Sequence, residues 1–115
     1  MLTIAVLVFA IGALGGLYMA SRVLSGHFAP WAISLLHAAL GATGLVLTGI
    51  VVFSGGVSGI IPIALLILIV AALGGFFLAS FHARKQLPPR TVVFIHAGAA
   101  VTGFLLLAGG TFNFL

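Results

Sequence analysis

The sequence predicts an all-α fold: a four-transmembrane-helix bundle made of two tandem helical hairpins in parallel orientation. Three observations predict it. Hydrophobic residues fill 63% of the 115 positions and charged residues 3%, far below the roughly 25% of a soluble domain; the mean hydropathy is +1.48. Four apolar runs are each long enough to cross hydrocarbon, which takes about 20 helical residues. The chain also matches itself without gaps at an offset of 59, residues 3–56 onto 62–115. The whole of 1–115 is therefore read as one integral membrane domain.

The first span covers about 2–24. It has no basic leading segment and is longer than the apolar stretch of a signal peptide, so it reads as a retained helix. Ser25-Gly26-His27 ends it. The second span, about 30–53, opens on Pro30, and the third, about 61–83, opens near Pro62. Ser54-Gly55-Gly56 and Ser58-Gly59 separate them. The fourth, about 90–112, follows Pro88-Pro89. Proline costs little at a helix start, where its missing N–H has no partner to lose.

All the fixed positive charge sits at the first and third connections: Arg22, Arg84, Lys85 and Arg90. The positive-inside rule then places loops 25–29 and 84–90 in the cytoplasm and both termini outside. A bacterial inner membrane is the expected location. There is no Asp, Glu or Cys. Carboxylate acid–base pairs, carboxylate metal sites, acidic proton relays, thiol catalysis and disulfides are all excluded. The cations must find negative partners in lipid, a ligand or another subunit. Expected partners are the bilayer and other membrane subunits or further copies of the chain. Nucleic acid is not among them, because topology and lipid phosphate already account for the cations.

The repeat is carried by residues that apolar chains do not share cheaply. Ala13-Leu14-Gly15-Gly16 returns as Ala72-Leu73-Gly74-Gly75, Pro30 as Pro89, His37-Ala38 as His96-Ala97, and Thr43-Gly44 as Thr102-Gly103. Each copy holds two spans, so both have the same orientation, related by a pseudo-twofold axis along the membrane normal. His37 and His96 then share one depth, roughly 10 Å along their helices from the proline ends. His27 and His82 have no such partner; their equivalents are Gln86 and Val23. Both read as interfacial polar residues. The patterns Gly12-x-x-x-Gly16 and Ala71-x-x-x-Gly75 read as helix-packing seams.

An ionisable side chain inside a membrane is a functional candidate, and neutral imidazole is a common metal ligand. Two histidines are too few for a structural zinc site, which takes four ligands. They suffice for the two axial positions of haem iron. In a square bundle the second and fourth helices stand on a diagonal, about 14 Å apart, enough for an imidazole–iron–imidazole bridge. Gly41 and Gly44 follow His37 on its own face, and Ala100 and Gly103 follow His96. These small residues are expected to leave room for a macrocycle. Arg22, Arg84, Lys85 and Arg90, on the same side of the membrane, are expected to face haem propionates. The bland alternative is a pair of structural interhelical hydrogen bonds.

With histidines on its second and fourth spans, the chain resembles the four-helix haem core of the cytochrome b561-like membrane proteins. That resemblance is architectural and covers the whole bundle. It implies b-type haem held between alternate helices. Two-haem members also need a pair on the first and third spans. Here His82 corresponds to Val23, so the resemblance implies one haem. The expected function is a small b-type cytochrome-like subunit, with His37 and His96 ligating haem b. It would serve electron transfer, as an accessory part of a larger redox complex rather than a stand-alone enzyme. The alternatives are a haem-free structural or assembly subunit and a chlorophyll-type pigment protein using the same histidines. A small channel or transporter is weaker, since no acid offers coupling.

Overall fold

The computed structural model describes residues 1–115. It contains four helices: α1 (Leu2–Leu24), α2 (Trp31–Phe53), α3 (Ile60–Ala83) and α4 (Arg90–Thr111). Every boundary lies within one residue of the expected span. At 1.5 Å per residue each helix is roughly 35 Å long, slightly more than the hydrocarbon of a bilayer.

The helix ends follow from local chemistry. Pro30 (φ −63°, ψ 136°) and Pro89 (φ −59°, ψ 138°) hold extended backbone just before α2 and α4. The ends of α1 and α3 close in the same way. After α1, Gly26 N–H donates to the Val23 carbonyl and His27 N–H to the Arg22 carbonyl. After α3, Lys85 N–H donates to the His82 carbonyl and Gln86 N–H to the Phe81 carbonyl. Both are Schellman closures, which need a left-handed residue just past the cap. Gly26 supplies it at φ +85° and Lys85 at φ +57°.

α1 packs tightly on α2, and α3 on α4. The two hairpins meet along looser seams, α1 with α4 and α2 with α3. The backbones on the diagonals, α1 with α3 and α2 with α4, stay apart. The result is a slender bundle of 43 × 23 × 19 Å. Its hydrophobic core, Val6, Ile61, Ala64, Leu68 and Leu107, clamps the hairpins together in the half that holds the chain termini.

Only 15 of 115 residues are buried, and large apolar side chains such as Leu14, Phe76 and Leu105 point outward. In water this surface would drive aggregation. In lipid it is matched to its solvent, so a thin bundle of all-round apolar helices is stable. Some hydroxyls inside the spans bond back to their own helix: Thr43 donates to the Ala39 carbonyl and buried Thr48 to the Gly44 carbonyl, each at 2.8 Å, whereas the buried Thr111 hydroxyl has no partner.

Candidate functional site

His37 on α2 lies 2.8 Å, through Nδ1, from the Gly12 carbonyl of α1. His96 on α4 lies 2.7 Å, through Nδ1, from the Ala71 carbonyl of α3. A carbonyl oxygen only accepts, so Nδ1 carries the proton and donates. Each Nε2 is then the basic nitrogen, and neither has a hydrogen-bond partner in the protein. A ring tied back through one nitrogen and free at the other is the arrangement that orients a metal-ligating histidine.

The Gly-Gly pairs make these bonds possible. A Cβ added at Gly16 would stand 2.9 Å from Cε1 of His37, and one added at Gly75 would stand 3.1 Å from Cε1 of His96. The first is closer than carbon atoms tolerate, and the second is tight enough that the ring would have to shift. The small-residue patterns therefore do more than the packing expected of them. Gly12 and Ala71 present a carbonyl, and Gly16 and Gly75, one turn on, make the hollow that receives the ring. A Cβ added at Gly12 would stand 3.4 Å from Cβ of Leu40.

His37 and His96 meet across the bundle. Their ring centroids are 6.3 Å apart and the rings stand at 80° to one another. An ion placed between them with two metal–nitrogen bonds of about 2 Å would hold two imidazole centroids about 6 Å apart. The centroid separation matches that length, while in this structure the two rings meet edge to face as a direct aromatic contact. No cluster of three or more His, Cys, Asp or Glu exists in the chain, at this pair or elsewhere.

The neighbouring small residues divide into two groups. Gly41 has no atom within 4 Å of the place its Cβ would occupy, and its equivalent Ala100 is half-buried. Space is open there. The room expected over Gly44 and Gly103 is instead filled. The ring of Phe9 reaches 2.5 Å from the Cβ position of Gly44, and Leu68 reaches 2.7 Å from that of Gly103. These glycines serve helix packing within each hairpin, because α1 and α3 present a large side chain where α2 and α4 have none.

The four cations lie at the expected end of the bundle, but none of their contacts is with His37 or His96. Arg22 donates to the Phe28 carbonyl at 3.0 and 3.2 Å. Arg90 reaches across the α1/α4 seam to the Leu24 carbonyl at 3.1 Å. Arg84 donates to the Ser80 carbonyl and lies 4.7 Å over the Phe81 ring. Lys85 borders a cleft with Phe28, Trp31 and His82. With no acid in the chain, carbonyls at helix ends and turns are the acceptors within reach, and they carry the negative end of the helix dipole.

No family model, curated protein or solved structure matches this chain. The resemblance to cytochrome b561-like proteins therefore rests on architecture alone. His82, read from sequence as an interfacial residue, stacks flat on Trp31 with centroids 3.9 Å apart and planes at 7°. That contact spans two hairpins, so no spacing in the sequence could reveal it. The roles of Gly16 and Gly75 had a visible signal, the repeated Leu-Gly-Gly, which sequence alone could assign only to packing.

Proposed function

We propose that this chain is a small integral membrane subunit that holds one haem b between His37 and His96 and serves electron transfer, as an accessory part of a larger membrane redox complex. The observation that carries the reading is the paired tie-back of Nδ1 to the carbonyls of Gly12 and Ala71, which leaves both Nε2 atoms as ligands 59 positions apart in sequence. The open space beside Gly41 supports it. When bound, haem would supply a one-electron iron couple in a low-dielectric setting. The protein's own part is to fix the tautomer and angle of each ring and to exclude water. Both termini lie outside and connections 25–29 and 84–90 face the cytoplasm.

The test is the visible spectrum of detergent-purified protein from haem-replete cells. A Soret band and a reduced-minus-oxidised α-band are expected, and His37→Ala and His96→Ala each disturb them. A colourless protein overturns the reading. A second reading, a haem-free structural subunit, is favoured by the filling of Gly44 and Gly103 by Phe9 and Leu68. It expects no chromophore and stable co-purification with a membrane partner.

A further inference from the structure

The pseudo-symmetry fails at the cationic end of the bundle, and the failure has chemical content. At the cationic end of the bundle the α1/α4 seam is closed by Arg90 and the Leu24 carbonyl. The equivalent α2/α3 seam has Trp31 where α4 has Arg90, and His82 where α1 has Val23. It is closed by the stack of those two rings, with Phe28 at 6.0 Å from His82 in a nearly parallel plane. Beside them opens a cleft of about 220 Å³ lined by Phe28, Trp31, His82 and Lys85.

Lys85 stands in this cleft at a backbone cost. It holds φ +57° where its repeat equivalent is Gly26 at φ +85°, and a left-handed conformation disfavours any residue with a Cβ. Its ammonium makes no hydrogen bond to the protein, in contrast to Arg22, Arg84 and Arg90. Neither the indole N–H of Trp31 nor a ring nitrogen of His82 is engaged in a hydrogen bond. The cleft is thus rich in donors and poor in acceptors, and the chain has no Asp or Glu to answer them. The complementary ligand is an anion with several acceptor oxygens.

We propose that this cleft binds the phosphate of an anionic phospholipid, with Lys85 as its counter-ion and the Phe28–Trp31–His82 wall against the glycerol and upper acyl chain. A lipid is favoured over soluble phosphate because the wall is aromatic and runs into the lipid-facing surface, where Trp31 is 48% exposed, at the depth where tryptophan anchors to the interface. An anionic lipid is favoured over a zwitterionic one because no carboxylate is present to receive an ammonium headgroup.

Trp31 is the sole tryptophan, so its fluorescence reports this cleft. The full chain is reconstituted into mixed vesicles of phosphatidylglycerol and phosphatidylcholine, with bromine on the acyl chains of one lipid and then of the other. The ratio of the two quenching curves gives the preference and cancels any fixed quenching by a bound chromophore. Brominated phosphatidylglycerol is expected to quench preferentially. Lys85→Gly, which suits the backbone, reduces that preference about fivefold; Lys85→Arg keeps it, and Arg84→Gln leaves it nearly unchanged. Helical circular dichroism confirms that each variant is folded. Equal quenching by the two lipids, or a preference that survives Lys85→Gly, overturns the proposal. Displacement of the lipid by millimolar inorganic phosphate overturns the lipid as occupant and assigns the cleft to a soluble anion.

Discussion

His37 and His96 stand edge to face, ring centroids 6.3 Å apart, on two helices whose backbones do not touch. Each ring is held by the other helix of its own hairpin, through Gly12 and Ala71. The contact therefore reads out how the two hairpins are set against one another. In a double-mutant cycle on apo protein, His37→Ala and His96→Ala are each expected to lower stability by about 1 kcal/mol, the loss of one interhelical hydrogen bond with some packing. In haem-loaded protein either single change removes the ligand-dependent stabilisation, and the double change adds little. Unfolding in detergent with and without haem measures both; additive losses in the loaded protein would refute a shared site.

Gly16→Ala is expected to destabilise by about 1–3 kcal/mol, the usual range for overpacking. Its new Cβ would meet Cε1 of His37 at 2.9 Å. Gly75→Ala, with 3.1 Å available, is expected to cost less. Thermal unfolding midpoints of the two variants in one detergent rank them.

Gly41 and Gly44 separate open space from packing space. Gly44→Ala collides with Phe9 and is expected to lower stability by about 1–3 kcal/mol whether or not haem is present. Gly41→Leu enters open space, so the apo protein should keep its unfolding midpoint while the Soret absorbance per protein falls. If Gly41→Leu retains a full Soret band, the macrocycle does not lie there.

Arg90→Gln removes the link from α4 to the end of α1. A loss of about 1 kcal/mol is expected, typical of a cation at a helix C-terminus. The effect should appear in hydrogen exchange as faster opening at Val23 and Leu24. Protection unchanged at those amides would mean that the α1/α4 seam does not depend on this contact.

Lys85→Gly relieves the positive φ at the end of α3 and is expected to raise stability by about 1 kcal/mol in a detergent without anionic lipid. The same unfolding assay shows it. A neutral or destabilising result would mean that the lysine side chain contributes more to the fold than its backbone conformation costs.

Much of the fold was legible because its determinants are local. A run of twenty apolar residues leaves lipid as its solvent, and proline, glycine and the cations mark where each run must stop. Pro30, Pro89 and the two Schellman closures fall where those rules put them. The histidine pair was legible through the offset of 59. The fate of Gly44 and Gly103 was not, since small residues after a histidine look alike whether they open a cavity or receive Phe9 and Leu68.

By itself, then, the sequence determined four spans, their common orientation in two hairpins, and two histidines at one depth. These depend on transfer free energy and helical rise, which act along the chain. Tertiary structure decided which carbonyl each histidine binds, which glycines are filled, which cations are engaged, and that Trp31 of one hairpin stacks on His82 of the other. The physical reason lies in the helices themselves. They are apolar on every side, so no polar face marks what turns inward. Only the fit of ring to glycine and side chain to groove selects the packed face, and that fit exists only once the helices have met.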